Sequence, residues 1–294
     1  MFEGPFLFRF IALEFDYRAL EPVHLAEGKA TNIVRGALGL ALRRQSCPPD
    51  CLDSRTCPRP TCLYQQLFEG ETGEHRPSGY QEPPRPYVLR SRDWSERTIA
   101  VGERLVTGIN LFDLRPAILD ALLRAYTHLG EAGLGPGRAR LALTRVPQPT
   151  VTILSLAPRD RTPSRVKARF LTPTEIKVGG KITRDAAFEP LFARLFERLR
   201  FLIRTHGETE VEIGGELDAA EQVITLHEDL RPAGAGVTRY STRTHQTHPL
   251  SGFVGEAVYE GDFTLLWPWL KAAEWTGIGR QTVWGKGVVE WSGL

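Results

Sequence analysis

The sequence has one methionine in 294 residues and only four cysteines, all of them between positions 47 and 62. Such usage excludes a disulfide-stapled secreted scaffold, whose cysteines are spread through the chain to supplement a small core. No apolar run approaches the roughly 20 residues that a membrane helix needs. The strongest candidate, FLFRFIALEF, carries Arg9 and Glu14. The N-terminus also lacks a basic region, apolar core and cleavage site in succession, so a cytoplasmic protein without membrane contact is expected. A net charge of only +2 excludes a whole-molecule field that recruits nucleic acid, and any such partner must meet a local patch. Lysine is scarce as well: of 37 basic residues six are lysine and 31 are arginine. The planar guanidinium binds phosphate bidentately and stacks on bases. Arginine enrichment also follows from a GC-rich coding sequence, and composition alone does not separate the two.

What is present is enough to fold. Hydrophobic residues make up 41% of the chain and aromatic residues 9%, sufficient for packed cores. The length fits two domains, and an internal repeat supports that split. The segment Ile118 to Val146 and the segment Leu265 to Trp291 each place a short apolar helix before a glycine loop and a strand. Gly133 and Gly135 precede Gly277 and Gly279 by 144 residues.

Read in order, Phe6 to Phe15 alternates as a first strand, and Ala30 to Arg44 is a helix with Ile33, Ala37, Leu38, Ala41 and Leu42 on one face. Thr31 or Asn32 is placed to cap it. Gly36 and Gly39 weaken that helix by up to ~1 kcal/mol each, which points to close approach by another group. Leu63 to Gly70 reads as a short helix, Tyr87 to Arg90 and Ile99 to Phe112 as extended segments, Pro116 to Leu129 as a second helix, and Arg140 to Val146 as a closing strand. Val151 to Leu156 is an extra strand, and the boundary falls in PRDRTP. The second half repeats the order with a strand at Arg165 to Leu171, a basic loop TPTEIKVGGKITR, and a helix at Phe188 to Ile203. That helix lines up Phe188, Leu191, Phe192, Leu195, Phe196, Leu199 and Leu202, with Arg194, Glu197, Arg198 and Arg204 off the face. Val211 to Leu230 is ambiguous, and Val237 to Ser241 with Gly252 to Tyr259 reads as a strand pair. The pattern predicts an α+β protein of two tandem ferredoxin-like (βαββαβ) domains, residues 1–157 and 158–294, with a cysteine-rich loop (47–62) inserted in the first.

That insertion, CPPDCLDSRTCPRPTC, holds Cys47, Cys51, Cys57 and Cys62 among four prolines. Prolines prevent regular structure there, and clustered thiols in a reducing compartment are metal ligands more often than disulfides. Four thiolates suit a structural zinc ion, an iron–sulfur cluster is the alternative, and free thiols or disulfides complete the possibilities. The loops GLGPGRAR and GIGR are not dinucleotide sites, because that fingerprint needs a strand before it and a helix after it. Their backbone amides, beside Arg138 and Arg280, suit phosphate oxygens of an extended polynucleotide, or else simply turn the chain.

Two such halves, each with a glycine loop between its last helix and strand, resemble the RAMP superfamily of CRISPR-associated RNA-binding proteins. The helix IVRGALGLALRR followed by clustered cysteines, and the run RYSTRTHQTHPLSGFVGEAVYEGDF…TGIGRQTVWGKG, are similar to the precursor-CRISPR-RNA processing endoribonucleases. The resemblance implies cleavage of repeat RNA without a metal ion or other cofactor, by 2′-hydroxyl attack that leaves a 2′,3′-cyclic phosphate and a 5′-hydroxyl. It also implies retention of the product among other effector-complex subunits. Such a site needs a base, an acid and a cation for the phosphorane. In many members a histidine in or just before the first helix is the base, and here His24 is so placed, with Lys29 and Arg35 nearby; the helix itself contains no histidine. His245 and His248 form a second candidate pair. Expected RNA contacts are Arg138, Lys177, Lys181, Arg239, Tyr240, Arg243, Arg280 and Lys286, with Tyr240, Trp275 and Trp284 as stacking platforms. Trp267 and Trp269 read as core, and His75, His128, His206 and His227 as structural. A RAMP subunit that binds guide RNA without cutting it, and a metal-cluster protein centred on the cysteines, are the competing readings.

Overall fold

The computed structural model describes residues 7–48, 51, 62–69, 84–90, 95–207, 215–241 and 246–294. In chain order the elements are β1 (Leu7–Ala19), β2 (Val23–Leu25), α1 (Ala30–Ser46), a π-helical turn Gln65–Glu69, β3 (Tyr87–Arg90), β4 (Arg97–Ile99), β5 (Arg104–Leu111), α2 (Pro116–Ala132), β6 (Leu141–Arg145) and β7 (Val151–Ser155). There follow β8 (Arg165–Thr174), β9 (Ile176–Val178), β10 (Lys181–Thr183), α3 (Phe188–His206), α4 (Glu216–Glu221), β11 (Ile224–Ala233), β12 (Thr238–Ser241), β13 (Gln246–Pro249), β14 (Gly252–Glu260), α5 (Trp267–Thr276) and β15 (Val289–Gly293). Two compact units result: Phe10–Val151, and Thr152–Leu294 together with the chain up to Arg9.

Among the described residues the first sheet runs β3-β5-β1-β6, with β7 also paired to β1, and the second runs β11-β14-β8-β15. Each therefore places its four main strands in the order second, third, first, fourth, with a helix after the first strand and another after the third. The pairings along both paths are antiparallel. This is a mixed α/β architecture with one helix-covered face per sheet.

In the first unit the buried face of β1 meets α2. Phe15 stacks on Tyr126 with ring centroids 4.0 Å apart, and the Tyr17 hydroxyl donates to the Tyr126 carbonyl at 2.5 Å. Burial pushes the Tyr17 phenol well above its ordinary range, so it remains a donor. Helix α1 buries Val34, Ala37, Leu38, Ala41 and Leu42, with Val34 rather than Ile33 opening the stripe. Its N-cap is Lys29, without a side-chain hydrogen bond, so Thr31 and Asn32 lie inside the first turn and do not cap. Close approach explains Gly39 but not Gly36. A Cβ at Gly39 would lie 3.0 Å from the Phe68 ring, whereas one at Gly36 meets nothing within 4 Å.

In the second unit α3 buries all seven residues of its expected stripe, each contributing about 1.5–3 kcal/mol relative to exposure. Arg198, expected off that face, is buried as well, and its Nε donates to the Thr276 carbonyl at 3.2 Å, closing the end of α5. The stretch TPTEIKVGGKITR is not a loop. It finishes β8 and then forms the β9–β10 hairpin around Gly179-Gly180, a dipeptide suited to a two-residue turn. The expected pairing of Val237–Ser241 with Gly252–Tyr259 is also replaced. Strand β12 pairs with β13, while β14 lies between β8 and β11, a strand that emerges from the ambiguous stretch. No helix among the described residues is long and apolar enough to cross a membrane.

Candidate nucleic-acid interface

The second glycine loop begins where α5 ends. Gly277 has φ 68° and Gly279 φ 77°, and a short 3₁₀ turn, Thr282–Trp284, leads to Gly285 and Gly287. The loop closes on itself through Ile278 N–H, which donates to Gly287 O at 2.8 Å, and is tied to β8 by Gly287 N–H on Pro173 O at 3.1 Å. The approach is close enough that a Cβ at Gly287 would fall 1.9 Å from Ile278 O.

A buried acid holds this loop from inside. Glu175, immediately after β8, has a side chain only 3% exposed and accepts from Arg280 through Oε1 and from Lys286 through Oε2. The Lys286 side chain is fully buried, and its three N–H bonds go to Glu175 Oε2 (3.0 Å), Ser251 O (2.7 Å) and Gln281 Oε1 (3.0 Å). Burial holds the ammonium below the usual lysine range, and Glu175 opposes that fall. Lys286 thus differs from the expected surface cation. Its donors are all spent on fixing the loop, and none points to solvent. Arg280 keeps a side chain 43% exposed and a backbone N–H on Glu175 O at 3.0 Å, so it is the loop's outward-facing cation.

Beside the loop, β12 and β13 pair Arg239 directly with His248. Both meet Trp284: the Arg239 guanidinium carbon is 4.4 Å from a Trp284 ring centroid, and the His248 ring is 5.3 Å from it, tilted 51°. A guanidinium, an imidazole and an indole at one half-buried point can bind phosphate, stack a base and exchange a proton. Of the other residues expected here, the Tyr240 backbone pairs with Thr247, while its side chain, Arg243 and His245 lie outside the described residues. Trp269 is buried as expected, and Trp275 and Trp267 are half-buried. The β9–β10 hairpin presents Lys181 and leaves Lys177 half-buried, with the Lys177 carbonyl accepting from Arg194 Nε at 3.0 Å.

The first unit carries the remaining candidates. His24 pairs with Thr98 across the β2–β4 ribbon, is 58% exposed, and places Nδ1 3.3 Å from Thr98 Oγ1 and Nε2 3.6 Å from Glu96 Oε1. Lys29 is exposed at the start of α1, whereas Arg35 lays its guanidinium 4.8 Å from the Phe68 ring centroid. Among the described residues no hydrogen bond joins either cation to His24, whose partners are a hydroxyl and a carboxylate. Nearby in sequence, both amide atoms of Asn32 and the Nε of Arg35 are shielded from solvent and have no partner among the described residues. Arg138, at φ 48°, is exposed in the tight first glycine loop, which closes through the Leu134–Ala139 bridge. Cys47, Cys51 and Cys62 are free thiols, with Sγ of Cys47 3.9 Å from Sγ of Cys62, and Cys57 lies outside the described residues. Among the described residues no three metal-ligating side chains converge on one point.

Sequence reasoning missed Glu175, Gln281, Ser251 and the Glu96–Thr98 setting of His24. Glu175 left one readable signal, as the lone acid in TPTEIKVGGKITR.

Residues 168–289 match the family described as CRISPR-associated endoribonuclease Cas6, and residues 8–161 match a family described as an N-terminal domain. No curated protein matches the chain. Among solved structures, a Cas6 product complex aligns with a TM-score of 0.60 at 18% identity, covering 96% of this chain and 98% of that one. Thermus thermophilus Cas6 aligns with a TM-score of 0.57 at 16% identity, over 98% and 100% of the two chains. A chain of a partial Cas6-RT-Cas1–Cas2 complex aligns at 0.54 and 12% identity over 97% of this chain and 46% of that one. These likenesses show a shared fold. Residues 168–289 thus carry a Cas6-type domain, and the chain as a whole shares the fold of solved Cas6 structures.

Proposed function

We propose that the protein cleaves precursor CRISPR RNA within its repeats, without a metal ion, by attack of a ribose 2′-hydroxyl on the adjacent phosphate. The products are a 2′,3′-cyclic phosphate and a 5′-hydroxyl. The architecture is read as two tandem ferredoxin-like domains with the cysteine-bearing segment inserted in the first. The observation that carries the reading is the meeting of Arg239, His248 and Trp284 beside the glycine loop, inside the stretch that matches the endoribonuclease family. Arg280, Arg239 and Lys181 supply phosphate contacts there, Lys177 extends them, and Arg138 supplies a separate one in the first unit. Trp284 supports a base.

Two histidines compete for the proton-transfer role. His24 has a carboxylate, Glu96, to orient and charge-stabilise its ring, while His248 has a cation beside it. Either imidazole can accept the 2′-hydroxyl proton, and the phosphorane's charge is met by guanidinium or ammonium groups. After cleavage the product stays bound, and the partners are repeat RNA and other CRISPR effector subunits. The likeness to a Cas6 product complex and to a Cas6-RT-Cas1–Cas2 chain supports that association.

Single-turnover cleavage of labelled repeat RNA by His24→Ala and His248→Ala tests the assignment. Loss of a general base slows the cut by about 10²–10⁴-fold while leaving affinity within a factor of about three. A slow His24 variant with normal affinity supports the first-unit base, and a slow His248 variant supports the second. If the unaltered protein binds repeat RNA tightly and never cuts it, the guide-binding subunit is the correct reading.

A further inference from the structure

Lys286 does more than stiffen the glycine loop, because its three acceptors belong to three different segments of the second unit. Glu175 stands between β8 and β9 and is the root of the β9–β10 hairpin. Ser251 lies between β13 and β14, at the base of the β12–β13 ribbon. Gln281 opens the turn that carries Trp284. The ribbon's base is itself a fixed point. Leu250 is buried there, its N–H donates to Val237 O at 2.9 Å to close the ribbon, and a Cβ at Gly252 would lie 2.5 Å from Thr174 O.

Gln281 is the strained member of this set. Its φ of 63° and ψ of 29° are left-handed, and among the described residues only Arg138 is a second non-glycine residue at positive φ. A Cβ makes that conformation unfavourable, so the surroundings must hold it. Two bonds do so: Trp284 N–H donates to Gln281 O at 2.9 Å, and Lys286 Nζ donates to Gln281 Oε1 at 3.0 Å. The ammonium that holds the start of the Trp284 turn therefore also grips the base of the ribbon bearing Arg239 and His248. Charge-assisted bonds of this kind are strong and weaken steeply when distance or angle changes, so three of them from one nitrogen fix three segments relative to one another. We propose that Lys286 and Gln281 are positioning residues of the RNA site, registering the ribbon against the loop so that Arg239 and His248 meet Trp284. The inference rests on the reading of that cluster as an RNA site, to which Lys286 offers no donor of its own.

Two measurements on the full chain test this, one of them without RNA. In the indole N–H spectrum of isotope-labelled protein, the Trp284 signal is the one lost in Trp284→Phe. Arg239→Ala should move that signal in the parent and leave it unmoved in Lys286→Met and in Gln281→Gly, where the contact is already broken. Gln281→Gly deletes the acceptor yet adopts the left-handed backbone without strain, so it keeps the test decisive if Lys286→Met does not fold. In a fluorescence-anisotropy titration below the melting range of every variant, Lys286→Met and Gln281→Gly should each weaken repeat-RNA binding about tenfold. Adding Arg239→Ala to either should then cost less than about threefold more, against about tenfold in the parent, because coupled residues are not additive. A Trp284 signal that responds to Arg239→Ala alike in all three proteins, or strictly additive losses of affinity, overturns the proposal. A parent that binds no repeat RNA overturns the RNA reading instead, and the indole spectra still decide whether Lys286 and Gln281 set the contact.

Discussion

Replacing Lys286 with methionine keeps the length of the side chain and removes its ammonium from a fully buried site. Three acceptors lose their donor at once: Glu175 Oε2, Ser251 O and Gln281 Oε1. Breaking a buried, hydrogen-bonded ion pair costs about 3–5 kcal/mol. Arg280 still compensates the Glu175 charge in this variant, which places the loss near the low end, about 3 kcal/mol. For a unit of this size that is a fall in melting temperature of roughly 10 °C. Glu175→Gln is the complementary cut and leaves an ammonium with neutral acceptors only. Its pH dependence has a defined sign. Burial already holds the folded-state pKa of Lys286 below its unfolded value, so protonating it opposes folding below that lowered pKa, and the penalty is relieved as pH rises toward the unfolded value. Removing Glu175, which raises the pKa, deepens the penalty and extends the rise in stability to lower pH. Combining Glu175→Gln with Lys286→Met should cost about 1–3 kcal/mol less than the sum of the single losses, because the second change removes the charge stranded by the first. Thermal melting of the full chain across pH supplies all of these quantities. Single variants that melt within about 1 °C of the parent, or strictly additive losses, would refute the internal-brace account of the loop.

The glycine loop itself should resist side chains. Gly287→Ala puts a Cβ 1.9 Å from a carbonyl oxygen at φ 73°, so a loss of at least about 2 kcal/mol in urea unfolding and weaker RNA binding are expected. Trp284→Ala should weaken repeat-RNA binding by about 1–3 kcal/mol in a fluorescence-anisotropy titration, the range for one base–aromatic stack. Unchanged affinity would return Trp284 to a purely structural role as the platform for Arg239. Affinity measured against salt should fall along a logarithmic line whose slope is about −0.7 for each phosphate neutralised on single-stranded RNA. Arg280→Ala should make that slope shallower by about one contact, whereas a flat line would remove the phosphate contacts altogether.

Much of the fold was legible because periodicity is a local property. The α3 stripe reads as core from its spacing alone, and all seven of its residues are buried. The paired glycine loops mark equivalent points in the two sheets, since each follows the helix after the third strand. Lys286 shows where locality fails. Flanked by Gly285 and Gly287 it reads as a loop cation, but its burial depends on an acid 111 residues earlier. Arg198 misled in the same way, its charge hidden against a helix end 78 residues distant. In the Val178–Lys181 turn the glycine pair was a readable hairpin signal, outweighed by the basic residues around it. Strand β11 was obscured because every one of its residues is exposed or half-buried and its register shifts between Thr225 and His227, so no clean apolar alternation marks it. The site was legible as a set of residue types and not as an arrangement. Arg239 and His248 stood out as basic, but only the β12–β13 register shows that they face one another across Trp284.

The central claim is metal-independent cutting by 2′-hydroxyl attack, and one reaction tests it most directly. The full chain is incubated with 3′-labelled and 5′-labelled repeat RNA in excess chelator, beside the same RNA with a 2′-deoxy substitution at the cut site. The account predicts a single cut in chelator, a 2′,3′-cyclic phosphate on the upstream fragment, a 5′-hydroxyl on the downstream one, and no cut in the deoxy substrate. Cleavage of the deoxy substrate, or activity that vanishes with chelator and returns with a divalent cation, would contradict it.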